Sequence, residues 1–143
     1  MRKEKKEKFR VFYDCENISE KKYDVSMERL KKKGQVVSCK AYRIKNDKST
    51  RAWTTRANKD KCLKEIRLSG GPEKNKVDSK IIKDIRREIR NISDDESIVI
   101  VSSDKDFSKI AKKIRASGGK VIGIGEAKAS DKLRKSYDEF LEI

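Results

Sequence analysis

The stretch SIVIVSSDKDFSKIAKKIRASGGKVIGIG, residues 97–125, most constrains what this chain can fold into. Its apolar run Ile98-Val99-Ile100-Val101 ends abruptly at Ser102-Ser103, which reads as a buried strand over 97–102. A helical pattern follows over 106–116, Gly118-Gly119 stops it, and KVIGIG at 120–125 is a second buried strand. Strand, helix and strand in that order form a parallel crossover unit. The rest of the chain repeats the alternation. KFRVFYD at 8–14 is β-rich, ISEKKYDVSMERLKKKG is a helix ending at Gly34, and QVVSCKAYRI at 35–44 is another strand. VDSKIIKDIRREIRNI is the clearest helix, with Val77, Ile81, Ile82, Ile85 and Ile89 on one stripe and charges opposite. The expected class is α/β: three layers, a mostly parallel central sheet and helices on both faces.

Signals are weaker between residues 45 and 76. KSTRAWTTRANKDKCL reads as a basic helix, CLKEIRL as a short strand and SGGPEKNK as a turn around Gly70-Gly71-Pro72. SDKLRKSYDEF is expected to close the chain as a helix. Residues 1–7 read as a basic N-terminal arm and residues 8–143 as a single domain, with no internal repeat.

Charge narrows the partners. Lys and Arg number 39 against 24 Asp and Glu, a formal charge of +15. Such a balance points to a polyanion, and nucleic acid is the leading candidate because phosphate contacts dominate its binding. A lysine-rich, merely solvated surface is the bland alternative. No helix joins a basic face to a large aromatic one, so no membrane partner is expected. Cys15, Cys39 and Cys62 fit neither a zinc motif nor a disulfide framework. The N-terminus MRKEKKEKFR lacks the apolar core of a signal peptide, and a cytoplasmic, reduced location is expected.

Ligands of parallel α/β sheets bind beyond the carboxyl ends of the strands, and here those ends carry acids. VFYDCEN puts Asp14 at the end of the first strand and Asn17 in the following turn. Asp104 and Asp106 follow the strand at 97–102, while the clearest helix opens at Asp78 and carries Asp84 six residues on. Each acid alone has a plain explanation as a helix cap, and Ser103 with Asp106 resembles a capping box. Gathered at one edge, they would repel unless a cation sat among them. Oxygen-only ligands suit Mg²⁺ or Mn²⁺. The chain has no histidine, so any chemistry would run through carboxylates and a metal. That arrangement, in so basic a protein, suits hydrolysis of a phosphodiester.

These motifs resemble the NYN domains, a branch of the PIN-like ribonucleases, over nearly the whole chain. VFYDCEN is similar to the family's opening strand and Asp-x-x-Asn. KVDSKIIKDI resembles its Val-Asp helix with a second Asp six residues later. IVIVSSDKDF is similar to the strand that runs into Ser-x-Asp-x-Asp-Phe. The close resembles Ser-x-x-Leu…Asp-x-Phe through Ser130, Leu133, Asp138 and Phe140. The resemblance implies a Rossmann-like PIN-type fold and Mg²⁺- or Mn²⁺-dependent, endonucleolytic cleavage of RNA. It makes Asp14, Asp78 and Asp104 the metal-holding acids, with Asp106 a further catalytic acid. Asn17 and Ser103 would support them, with Asp84 a minor member that sits about 120° around the helix from Asp78. The alternative is a catalytically weak or inactive PIN-like RNA-binding adaptor, and the resemblance also raises a homodimer.

Two lysines depart from the family pattern. Lys105 stands where a small polar residue is common and Lys76 where glycine often precedes Val-Asp. Both would either grip phosphate or compete with the metal. STRAWTTR offers Arg51 and Arg56 beside Trp53, which reads either as a stacking platform for RNA or as a core anchor. GIGEA lacks the third glycine of a nucleotide loop, so its glycines are read as permitting close backbone approach.

Overall fold

The computed structural model describes residues 7–69 and 76–143. The basic arm, apart from Glu7, and the Gly70-Gly71-Pro72 turn lie outside the described residues. Six strands are present: β1 Glu7–Asp14, β2 Gly34–Ile44, β3 Leu63–Leu68, β4 Glu96–Val101, β5 Val121–Gly125 and β6 Glu139–Glu142. They form one sheet in the order β3-β2-β1-β4-β5-β6, and every pairing is parallel. The helices are α1 Tyr23–Lys31, α2 Arg51–Lys59, α3 Lys76–Glu88, α4 Ser108–Ala116 and α5 Asp131–Ser136.

Helices cover both faces. Phe9, Val11 and Tyr13 of β1 pack with Tyr23, Met27 and Leu30 of α1 and Trp53 of α2. On the other face, Phe12, Ile98, Ile100 and Val121 pack under Val77, Ile81 and Ile85 of α3, Ile110 and Ile114 of α4, and Leu133 of α5. The apolar stripe expected on α3 is its buried face, although Ile82 and Ile89 are only half-buried.

The closing segment differs from expectation. Its helix stops at Ser136, and Glu139–Glu142 adds β6 beside β5. Asp138 makes the turn: its backbone N–H donates to the Val121 carbonyl at 2.9 Å, and its Oδ2 accepts from Val121 N–H at 2.8 Å. An edge strand this short and charged carries little hydrophobic alternation, so its sequence mimics a helix.

Two glycines have tasks that the backbone explains. Gly118 has φ of 87° and ends α4, where Gly119 N–H returns to the Ile114 carbonyl at 2.9 Å. At Gly123 a Cβ would drive into the Tyr137 ring, which packs against β5 at that point.

Strand order places the site. From β1 the chain winds outward to β2 and β3, then returns to begin β4 on the other side of β1 and winds away through β5 and β6. The carboxyl ends of β1 and β4 therefore flank the topological switch point, where such sheets open a crevice. Gly123→Ala should lower the unfolding free energy in urea by roughly 1–3 kcal/mol through overpacking. The penalty should shrink when Tyr137→Ala removes the ring.

Candidate acidic site at the switch point

Side-chain parity brings the first acid in. Successive strand residues alternate faces, and Phe12 of β1 points toward α3 and α4. Asp14 leaves β1 on the same side and is 4% exposed. Ile98 and Ile100 of β4 share that face, and parity carries Ser102 there too. Tyr13 pairs with Val101 across the two strands, so the next residues, Asp14 and Ser102, meet. The Ser102 hydroxyl donates to Asp14 Oδ2 at 2.9 Å and accepts from the Asp104 backbone N–H at 3.1 Å.

Asn17 ties the two loops together. Its Oδ1 accepts from Ser103 N–H at 2.7 Å, across the end of β4. The Ser103 hydroxyl accepts from Glu126 N–H at 2.8 Å, which pins the loop after β5. Ser103 therefore does not act as the cap that its spacing from Asp106 suggests. Asp104 is the cap of the single helical turn ahead of α4, with its Oδ1 accepting from Asp106 N–H at 2.9 Å.

Asp78 arrives from α3, in whose first turn its Oδ1 accepts from Ser79 N–H at 2.9 Å. Carboxylate oxygens of Asp78, Asp104 and Asp106 lie within 4.8 Å of one another. The structure thus groups Asp106, rather than Asp14, with Asp78 and Asp104. Asp14 lies deeper, close enough to feel both Asp78 and Asp104.

Like charges at that separation repel by roughly 3–4 kcal/mol per pair at an effective dielectric near 20. Burial, seconded by the charges of Asp104 and Asp78, pushes the Asp14 carboxyl up to about 6 against the opposing Ser102 bond. Burial also raises Asp78, with Asp104 and Asp106 adding to it and the Ser79 N–H opposing. The neighbouring lysines do not relieve this. Lys76 Nζ donates to the Ser69 carbonyl, and Lys105 is exposed. Among the described residues neither forms an ion pair with these acids.

Asp84 stands apart from the group. It is buried on the sheet side of α3, where its Oδ2 accepts from the Tyr42 hydroxyl at 2.7 Å and Lys80 pairs with it at 3.0 Å. Burial alone would raise its pKa, but Tyr42 and Lys80 outweigh burial and hold it below the usual range.

The basic–aromatic stretch is likewise separate. Trp53 is 1% exposed, donates through Nε1 to the Ile18 carbonyl at 3.1 Å and packs on Tyr13. It is a core anchor and presents no face for a base. Arg56 is spent on Glu20 at 2.8 Å and Asp24 at 3.2 Å, above the Tyr23 ring. Arg51 is exposed at the start of α2.

Two residues were missed from sequence. Ser102 could have been found by extending strand parity one residue past Val101. The Tyr137 hydroxyl is buried without a hydrogen-bond partner among the described residues, and burial together with the charge of Asp104 holds its pKa far above the ordinary value. No sequence signal marks it, since its ring reads as core.

A doubly wound parallel sheet with carboxylates gathered at its switch point defines a Rossmann-like α/β protein with an acidic centre. The NYN domain family matches residues 8–143, and the chain belongs to that family. Among solved structures, a Vibrio parahaemolyticus RIMD 2210633 protein of unknown function, VPA0982, shares this fold. Its TM-score is 0.72 at 24% identity, covering 100% of this chain and 96% of that one. No curated protein matches the sequence. Among the described residues no helix is long and apolar enough to cross a membrane. The homodimer raised by the resemblance finds no support.

The raised Asp14 carboxyl costs stability once it ionises. Its folded pKa of about 6 exceeds the ordinary 3.8, so the native state binds the extra proton between those values. Native stability should therefore fall as pH rises through that window. Asp14→Asn, measured by urea unfolding in EDTA, should stabilise by roughly 1–3 kcal/mol at neutral pH, with the gain vanishing in acid below the ordinary carboxylate range.

Proposed function

We propose that the protein is a Mg²⁺- or Mn²⁺-dependent ribonuclease that hydrolyses RNA phosphodiester bonds endonucleolytically. The observation that carries this reading is the cluster of Asp78, Asp104 and Asp106 at the switch point, with oxygens within 4.8 Å of one another. Membership of the NYN family points to a PIN-like nuclease.

The donor set fits a hard divalent cation. All its members are carboxylates, there is no histidine, and Cys15 and Cys39 are buried in the core on the α1 side of the sheet. Neighbouring lysines leave the negative charge uncompensated, which is the condition a divalent ion would relieve. Asp78, Asp104 and Asp106 would hold the ion, and Asp14 would add charge from behind. When bound, the ion supplies Lewis acidity toward the scissile phosphate and toward water.

The chain's own residues then have distinct tasks. Ser102 fixes the Asp14 carboxylate and the Asp104 backbone in one arrangement. Asn17 holds the end of β4 against the turn after β1, so the acids keep their spacing. Asp14, which is not one of the three ion-holding carboxylates, would be the acid left to take the proton released by the attacking water. In the reaction a water oxygen–phosphorus bond forms and the bond from phosphorus to the leaving ribose oxygen breaks. Lys105, exposed between two of the acids, is placed to meet a phosphate. Lys76 is drawn to Ser69 instead. Neither lysine neutralises the cluster, which favours the enzyme over an inactive adaptor.

Labelled single-stranded RNA incubated with Mg²⁺, Mn²⁺ or EDTA tests the reading. Cleavage should need the metal, and Asp104→Asn should reduce it by more than the roughly 10–100-fold typical of losing an outer partner of a metal ligand. Binding without cleavage under every metal condition would sink the enzyme in favour of the adaptor.

A further inference from the structure

Helix α3 sorts its charges by face. Its two interior acids are spent on the sheet side: Asp84 on Tyr42 and Lys80, and Glu88 on Arg10 at 3.2 Å and Lys40 at 2.7 Å. On the outer side Lys83, Arg86, Arg87 and Arg90 are all exposed, and among the described residues none of them forms an ion pair. Ser79, Lys83, Arg86 and Arg90 recur at helical spacing and so form one stripe. With Ile82 and Arg87 they line an open groove of about 590 Å³.

The groove starts beside the acidic cluster. Ser79 follows Asp78 directly and donates its backbone N–H to that carboxylate. From there the stripe descends along α3, antiparallel to the strands, for roughly 16 Å at 1.5 Å per residue. It ends near Arg90, at the opposite edge of the sheet, just before the chain enters β4.

We propose that this outer face of α3 carries the phosphate backbone of the RNA strand leading away from the cleaved bond. The proposal rests on the ribonuclease reading above and assigns the substrate's path to residues outside the acidic site. Charge complementarity chooses the occupant. Four exposed cations that form no ion pair among the described residues suit a chain of phosphates, and guanidinium groups grip phosphate through paired N–H bonds. Half-buried Ile82 gives the groove an apolar floor against which a ribose or base edge can rest. The path through Arg51, Arg56 and Trp53 is weaker, because Trp53 is buried and Arg56 is already paired.

Fluorescence anisotropy with a fluorescein-labelled single-stranded RNA in EDTA reads binding apart from cleavage. The variant Lys83→Gln/Arg86→Gln/Arg87→Gln/Arg90→Gln is compared with Lys31→Gln/Lys59→Gln/Lys61→Gln/Lys64→Gln. The second set removes equal charge from exposed lysines at the amino edge of the sheet. Each phosphate contact contributes about 0.7 to the slope of log affinity against log salt for a single strand, so the α3 variant should lose about 2–3 of that slope and roughly tenfold or more in affinity. The control should lose far less, and Arg86→Lys/Arg87→Lys/Arg90→Lys should keep most of the slope. Should the fourfold variant fail to fold, Arg86→Gln/Arg87→Gln should show about half the slope change. Equal losses in the α3 variant and the control would overturn the proposal while leaving the ribonuclease reading intact. So would unchanged RNA affinity with lost binding of labelled polyglutamate, which would make the face a protein-docking surface. A wild-type protein that binds no RNA would overturn both readings.

Discussion

The Ser102 hydroxyl holds the two halves of the molecule together at the point that matters. It donates to Asp14 at the end of β1 and accepts from the Asp104 backbone just past β4. One hydroxyl has one proton to give, so the direction of both bonds is set once Asp14 is ionised. The switch point would otherwise be two strand ends with free loops. With Ser102 and Asn17 in place, the loops after β1, β4 and β5 become one hydrogen-bonded rim. Asp78 then needs only the first turn of α3 packed on that face to complete the cluster.

Charge is distributed against what +15 would lead one to expect. A basic protein could neutralise an acidic cluster cheaply with a nearby lysine, yet Lys76 and Lys105 leave it alone while Asp84, Glu88 and Glu96 all receive partners. Paired acids lie on the sheet side of α3 and along the edges of β1, where salt bridges brace the layers. At the switch point, by contrast, Asp78, Asp104 and Asp106 form no ion pair among the described residues. Such a concentration of unrelieved charge is of the kind that gathers at functional sites in proteins generally.

Much of this fold was legible because its signals are local. The β-branched run at 98–101, the stripe of Val77, Ile81 and Ile85, and the Gly118-Gly119 stop each follow from periodicity or backbone preference. All of the strand-end acids could be named for the same reason, since a parallel sheet delivers its loops to one edge. What could not be read was relative depth. Asp14 and Asp106 exchange places between the expected and observed grouping because depth depends on the register of β1 against β4, a long-range pairing. The choice between RNA platform and core anchor at Trp53 and Arg56 stayed open because their partners, Ile18 and Glu20, lie more than thirty residues away in sequence. The β6 edge strand was lost for a related reason: only its pairing with β5 distinguishes it from a helix.

The Tyr137 hydroxyl shows how tightly the site is backed. Its ring fills the space over Gly123, and its oxygen is buried with no hydrogen-bond partner among the described residues. A phenol left without a hydrogen bond in the interior costs about 1–3 kcal/mol. Phenylalanine would fill the same ring space without that cost, so packing explains the ring and leaves the oxygen unexplained.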